Sequence, residues 1–384
     1  MMVNPTLRFK DDNGNDYPDW MEKKLGDVFQ FFKPGGLKKE DLNENGNTYC
    51  IHYGHLFTEY NEVIYQVKFK TDKKGFLSKN GDILMPSSDV TPLGLAKASA
   101  LLLDDVLLGG DINILRAKSD VSSEFFSYTI NYHKKKILDK VSGTTVKHIY
   151  IRDIVENQYY TPSLPEQQKI ASFLSSIDEK INLTDKKLEL LKQYKQGVMQ
   201  QIFNQEIRFK DDNGNDYPDW MEKKLGDVSP LQRGFDLPLS TITEGGYPVV
   251  GSNGIIAYHN DYKCYGEGVI TGRSGSIGFF TYLPKCKYWP HNTSLWVKDF
   301  KGNSAKFIYY LYLSVGIERF SSGSGVPTLN RNDVHAFHTS IPSLPEQQKI
   351  ASFLSSIDEK INLIDRQLDN LKQYKKSLLQ QMFV

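Results

Sequence analysis

Little in this sequence points outside the cell or toward chemistry of its own. The three cysteines, Cys50, Cys264 and Cys286, are odd in number and far apart, with no C-x-x-C pair. Neither a disulfide framework nor a zinc site is indicated, and a reducing cytoplasm is the expected compartment. No apolar run approaches the roughly 18 residues that span a bilayer. The opening MMVNPTLRFKDDNG has no apolar stretch of the secretory kind. An excess of one charge is missing too: the net charge is +1, so any surface for nucleic acid has to be local. There is no N-P-P-Y or D-P-P-Y methyltransferase motif, no Walker A lysine and no nucleophile elbow, so the chain is expected to bind rather than catalyse. Its 384 residues, 39% hydrophobic and 24% charged, suit two or three soluble domains.

What the chain does have is repetition. Residues 163–203, SLPEQQKIASFLSSIDEKINLTDKKLELLKQYKQGVMQQIF, return near the end as 343–383, and 162–183 is letter-for-letter 342–363 at an offset of 180. Each copy reads as one long helix. Ser163 and Glu166 form an S-x-x-E capping pattern, and Pro165 stands in the first turn, where a missing N–H costs nothing. Apolar residues recur at steps of four and three: Ile170, Leu174, Ile177, Ile181, Leu188, Leu191, Val198 and Ile202, then Ile350, Leu354, Ile357, Ile361, Ile364, Leu368, Leu371, Leu378 and Met382. A seam this long predicts coiled-coil packing, and the lysine each copy places on it, Lys195 and Lys375, is a device for fixing register.

A second repeat, RFKDDNGNDYPDWMEKKLGDV, occupies 8–28 and again 208–228. Between the repeats lie two unlike segments. In the first, IYQVKF (64–69) reads as strand, LGLAKASALLL (93–103) as helix, and DVLLGGDINILRA (105–117) as strand, turn, strand. In the second, YPVVGSNG, GVITGRSGSIGFF and KYWPHNTSLWV read as strands and KFIYYLYLSVG as a helix. SGTTVKHI (142–149) loosely echoes SGVPTLNRNDV (324–334) upstream of each long helix. The expected fold is mixed α+β: two globular α/β domains separated by two long antiparallel coiled-coil helices in a pseudo-twofold, circular arrangement. Its parts are 1–24 (a repeat segment packing near the C-terminus), 25–162 (first domain), 163–204 (helix), 205–228 (repeat segment), 229–342 (second domain) and 343–384 (helix). Like helices offer like surfaces to two copies of one partner; unlike domains contact two different things.

With LPEQQKIASFLSSID at Leu164 and Leu344, the duplicated architecture, GTTV at 143–146 and GRSGSIG at 272–278, the whole chain resembles the specificity subunit of type I restriction–modification systems. The resemblance implies two target-recognition domains, each reading one half of a bipartite double-stranded DNA target. It implies paired helices that set the spacer and dock two adenine-methylating modification subunits, with restriction subunits joining through them. It implies that S-adenosylmethionine, ATP and Mg belong to those partners and that this chain binds no cofactor. From 170 to 202 a helix spans roughly 50 Å, or about 14–15 base pairs, which suits half-sites one helical turn apart. The alternative is a coiled-coil scaffold for proteins without DNA specificity.

On this reading the DNA-contact candidates are Lys73, Lys74, Arg116, Lys118, Lys147 and His148 in the first domain, and Arg233, Asn253, Arg273, Ser274, Asn330 and Arg331 in the second. The docking and ruler positions are Leu164, Glu166, Gln167, Ile170, Leu174, Ile177 and Ile181, with Leu344, Glu346, Gln347, Ile350, Leu354, Ile357 and Ile361. PDWMEKK (18–24, again 218–224) carries the letters of a nuclease metal site, but two residues between Asp19 and Glu22 are too few to bring both carboxylates to one metal; it reads as a linker with a buried tryptophan. Lys134, Lys135 and Lys136 read as a solvated face or phosphate contact, and His335 and His338 lack the ligand spacing of a metal site.

Overall fold

The computed structural model describes residues 4–118, 121–322 and 327–384. Two compact units emerge. The first comprises Met1–Thr184 with Gln367–Val384, and the second Asp185–Arg366. The two long helices, Leu164–Phe203 and Leu344–Met382, contribute to both. Among the described residues no helix is long and apolar enough to cross a membrane.

In the first unit a five-stranded sheet runs in the order Phe29–Phe32, Ile112–Ala117, Asp82–Pro86, Ser99–Leu101, Val63–Ile64, antiparallel except for its last pair. A smaller sheet joins Lys70–Thr71, Thr48–Ile51 and Leu107–Leu108. The helix Ser123–Tyr132 buries Phe125, Phe126 and Tyr128 with Trp20, Leu25 and Phe29 against Ile170, Leu174 and Ile177 of the first long helix. Leu378, Met382 and Phe383 of the second long helix close the same core, so here the two helices run antiparallel.

Two expectations for this unit are corrected. Residues 93–103 form one helical turn, Pro92–Leu95, and then the strand Ser99–Leu101. Ala100 N–H donates to Glu62 O and Leu102 N–H to Ile64 O, so cross-strand bonds outweigh the helix preference of LAKASALLL. The strand expected over 64–69 is only Val63–Ile64; pairing resumes at Lys70–Thr71 in the other sheet. The strand–turn–strand at Leu107–Leu108 and Ile112–Ala117 is as the sequence suggests.

The second unit is built on a six-stranded sheet in the order Leu231–Arg233, Ser294–Val297, Cys264–Gly272, Phe280–Pro290, Tyr247–Gly251, Gly254–His259. Its helix, Ala305–Val315, ends on Gly316 in the left-handed region (φ +64°), the backbone a glycine terminator supplies without strain. Phe307, Ile308 and Leu311 pack with Ile350, Leu354 and Ile357 from one long helix and Val198 and Ile202 from the other, again antiparallel.

Both copies of the shorter repeat do the same job. Met21–Lys24 pairs with Gln158–Thr161, and Met221–Lys224 with His338–Ile341, each partner leading into a long helix. Arg208 follows the first long helix directly along the chain. Its counterpart Arg8 has no such connection, yet Leu7 N–H donates to Gln381 O at 2.9 Å, in the place where Ile207 N–H donates to Gln201 O at 3.3 Å. The start of the SGVPTLNRNDV echo, residues 324–326, lies outside the described residues.

Candidate DNA interface and its scaffold junctions

Each unit fastens its domain helix to a long helix by the same contacts. In the first, Ser122 caps Ser123–Tyr132 by accepting from Phe125 N–H, and its own N–H donates to Gln167 Oε1 at 2.9 Å. Gln167 Nε2 donates to Pro162 O at 2.8 Å. Two turns along, Tyr128 Oη–H donates to Asp178 Oδ2 at 2.7 Å, and Lys375 Nζ meets Asp178 Oδ1 at 2.6 Å and Glu62 Oε1 at 3.2 Å. Burial pushes the Asp178 carboxyl above its ordinary value, against the pull of the Lys375 charge. Burial, then the Asp178 charge, holds the Tyr128 phenol protonated far above the ordinary tyrosine range.

The second unit repeats the pattern with Ser304 N–H to Gln347 Oε1 (3.0 Å), Tyr310 Oη–H to Asp358 Oδ2 (2.6 Å) and Lys195 Nζ to Asp358 Oδ1 (2.6 Å). The domains thus share S-x-x-F-x-x-Y at Ser122, Phe125, Tyr128 and at Ser304, Phe307, Tyr310, a signal the reading of the two segments as unlike had missed.

These junctions correct the docking list. Glu166 and Glu346 are fully buried and hold Arg8 and Arg208 at 2.7 and 3.0 Å. Gln167, Gln347, Ile170, Leu174, Ile177, Ile350, Leu354 and Ile357 are buried inside their own units, because the domain helices and the antiparallel partner cover that face. Ile181 and Ile361 pack at the margins of those cores, Leu164 is half-buried, and Leu344 is exposed. Exposed instead, at matching places in the two copies, are Leu183 and Leu363, Tyr194 and Tyr374, and Met21 and Met221. The signal was available: Leu183 and Leu363 are apolar, lie within the identical stretch and fall off the seam.

The DNA candidates of the first unit separate into two sets. Lys73 and Lys74 line an open cleft of about 610 Å³ with Asn47, Tyr49, Leu77 and Asp104, and Lys73 also pairs with Asp41 at 2.7 Å. Arg116 is corrected: it grips Asp82 with two bonds of 2.7 Å, lies over Phe32 and Phe76, and faces the protein. Asp82 is fully buried, and a buried carboxylate requires such a partner. Lys118 and Lys147 donate to the Gly26 and Gly143 carbonyls. His148 is bonded to Ser88 Oγ on the strand beside its own.

In the second unit the candidates converge on one end of the sheet. Arg273 N–H donates to Thr293 O, Leu329 N–H donates to Arg273 O, and Ser274 bridges to Thr328, which brings the GRSGSIG loop beside Asn330 and Arg331. A Cβ on Gly272 would lie 2.4 Å from Ser276 O and 3.1 Å from the Ser252 side chain, so only glycine lets the turn carrying Asn253 come this close. Arg273 Nε is buried without a hydrogen-bond partner among the described residues. Asn330 has a local duty, capping Arg331–Ala336 through Asn332 N–H, and Arg233 pairs with Asp236 at 2.9 Å. Asn253 and Arg331 stand exposed.

The remaining motifs are structural. Trp20 is buried, and Arg8 donates to the Tyr17 and Pro18 carbonyls, which makes PDWMEKK a brace. His335 Nε2 accepts from Leu231 N–H, and His338 Nδ1 meets Glu222. Lys136 donates to Gln158 O and covers the Tyr159 ring.

A family model for the type I restriction modification DNA specificity domain matches residues 17–193 and again 217–373. The type I restriction enzyme MjaVIII specificity subunit of Methanocaldococcus jannaschii is 24% identical, with 97% of this chain and 94% of that protein covered. The putative MjaX specificity subunit of the same organism is 22% identical over 94% and 92%. In fold, the crystal structure of a type I restriction-modification S subunit from M. genitalium superposes with a TM-score of 0.69 at 18% identity, covering 100% of this chain and 99% of that one. A second solved structure, from a study of type I R-M complex assembly and conformational transition, gives 0.54 at 15% identity over 95% and 97%. The two matched stretches place this chain in the type I restriction modification DNA specificity family, as a non-catalytic subunit that recognises DNA sequence and assembles with the other subunits of its restriction–modification complex.

Proposed function

We propose that each unit reads one half of a bipartite duplex target, and that the long helices set the spacer between the halves. Two modification subunits dock on the repeated exposed positions, one at Leu183, Tyr374 and Met21 and one at Leu363, Tyr194 and Met221, and restriction subunits join through them. Adenine methylation, with S-adenosylmethionine, and the ATP and Mg of restriction belong to those partners; this chain binds no cofactor. The observation that carries the reading is the equality of the junctions, Ser122–Gln167–Tyr128–Asp178 and Ser304–Gln347–Tyr310–Asp358, beneath domain ends that share neither sheet nor loops. Equal junctions beneath unequal ends suit two readers of different half-sites on one repeated frame. In the second unit the reading end is the cluster of Asn253, Arg273, Ser274 and Arg331; in the first it is the cleft of Lys73 and Lys74. The test is methylome sequencing of cells that express this chain with a matched modification subunit. An asymmetric bipartite N6-methyladenine motif is expected. A methylome without any motif, beside a modification subunit active with another specificity chain, overturns the reading.

A further inference from the structure

The second unit carries a surface that none of the base-reading candidates uses. Tyr265, Tyr258 and Tyr262 are 66%, 53% and 37% exposed, values unusual for aromatic rings in a folded domain. Lysines stand over the neighbouring rings. Lys287 Nζ lies 4.5 Å from the Tyr262 centroid and 5.5 Å from that of Tyr247, and those two rings meet edge to face at 5.2 Å. Lys285 Nζ lies 5.6 Å from the Tyr265 ring, and Lys263 Nζ 4.7 Å from the Trp289 ring. The sheet register sets this up: Tyr265 is directly opposite Lys287, and the strand holding Tyr247 runs beside Phe280–Pro290.

None of the three lysines has a carboxylate partner among the described residues. Among the described residues the ion pairs of this unit involve Lys192, Lys195, Arg208, Lys210, Arg233, Lys301, His338 and Lys349. The two nearby acids are engaged elsewhere: Asp261 accepts from Tyr262 N–H at 2.8 Å, and Glu267 accepts from Tyr282 Oη–H. A ring face holds an ammonium by its quadrupole and fixes the lysine stem without neutralising its charge; Lys287 in addition hydrogen-bonds to Tyr262 and Tyr247. Lysine and tyrosine both meet phosphate oxygens, and the arginine, asparagine and glutamine forks that read bases by two planar bonds are absent from this set.

We propose that this tyrosine–lysine face grips the sugar–phosphate backbone of the duplex beside the half-site read by the second unit, in a sequence-independent way. The proposal rests on the DNA-recognition reading and extends it. Tyr265 and Arg273 lie eight steps apart on one strand and its loop. That is at most about 26 Å, or roughly seven or eight base pairs, so the gripped phosphates flank the bases read at the loop end.

The test uses the full chain assembled with its modification subunit and a duplex bearing the target. Binding is measured across a salt series for wild type, for Lys263→Ala/Lys285→Ala/Lys287→Ala, and for the same three positions changed to arginine. Each lost phosphate contact lowers the slope of log affinity against log salt by about 0.9, so the alanine triple is expected to lose about 2.7. It is also expected to bind at least about tenfold more weakly at physiological salt, with the arginine triple close to wild type. The preference for the true target over one with a scrambled half-site stays unchanged. An unchanged slope in a chain that melts like wild type overturns the proposal, and so does an altered methylation motif, which would make the face a base reader. Loss of modification-subunit binding at an unchanged slope would assign the face to a protein and overturn it too. A wild-type complex that prefers no duplex would remove the DNA reading itself, and this proposal with it.

Discussion

Lys375 Nζ lies 2.6 Å from Asp178 Oδ1 on the other long helix, and Lys195 makes the same contact with Asp358. Each seam lysine meets the aspartate that also accepts from the domain tyrosine, so helix register and domain seating are settled by one carboxylate. Removing the lysine leaves a largely buried acid without its cation, which costs about 2–3 kcal/mol once partial exposure is allowed for. Lys375→Ala is expected to lower the melting temperature by about 5–10 °C, and Lys195→Ala by a similar amount. A double-mutant cycle of Lys375→Ala with Asp178→Ala should show coupling of at least about 1 kcal/mol. Additivity of the two changes would show that the contact is incidental.

Acid should weaken the first unit before the second. Burial pushes the His55 and His133 imidazoles down to about 4, well below the ordinary histidine value, and both lie in the first unit. The unfolded chain therefore binds more protons between pH 6.5 and 4. The stabilising effect of the neutral rings is complete above 6.5 and is lost as pH falls toward 4. Discounted for partial exposure, the loss from pH 7 to 5 is about 1 kcal/mol for each ring. Amide exchange at both pH values is the check: protection in the first unit should fall more, and His133→Gln should remove part of the difference.

Arg116 and Lys74 should part company. Arg116→Ala strands the fully buried Asp82 and is expected to destabilise the chain by about 3 kcal/mol. Lys74→Ala, at an exposed position in the cleft, should leave the melting temperature unchanged and weaken DNA binding. Melting curves beside a binding titration separate the two; a stable Arg116→Ala chain with weakened DNA binding would return Arg116 to the interface.

The repeated exposed leucines give a stoichiometry experiment. Leu183→Glu and Leu363→Glu should each reduce the modification subunits held from two to one, and the double variant should hold none. Native mass spectrometry reads this directly. Two subunits retained by the double variant would move the docking surface off these positions.

Much of the frame was legible because helices advertise themselves. The seam from Ile170 to Ile202 and the lysines at 195 and 375 report on local geometry, and the structure uses them; the capping pattern does not form, since Ser163 Oγ has no hydrogen-bond partner among the described residues and both Glu166 oxygens accept from Arg8. The glycine end of KFIYYLYLSVG was readable for the same reason. Residues 93–103 misled because strand pairing with Asp82–Leu84 decides their state, and that partner is remote in sequence. The shared S-x-x-F-x-x-Y escaped notice because its offset, 182, matches neither repeat and only three letters survive. Arg116 looked like a DNA contact because nothing local says that Asp82, thirty-four residues earlier, is buried opposite it. The lysines at 263, 285 and 287 look ordinary in the sequence; the sheet register is what sets them over tyrosine and tryptophan rings.

The bond from Leu7 to Gln381 has a further consequence. The segments 8–28 and 208–228 are chemically identical, yet 208–228 follows in the chain the long helix it packs on, whereas 8–28 reaches Gln381 through the hydrogen bond of Leu7. A tether raises the effective concentration of a segment at its seat and lowers the entropy lost on docking. The amino-terminal copy lacks that help and has only its contacts, so it is the copy that frays first. Two copies of one segment, alike in sequence, are thereby unlike in rigidity.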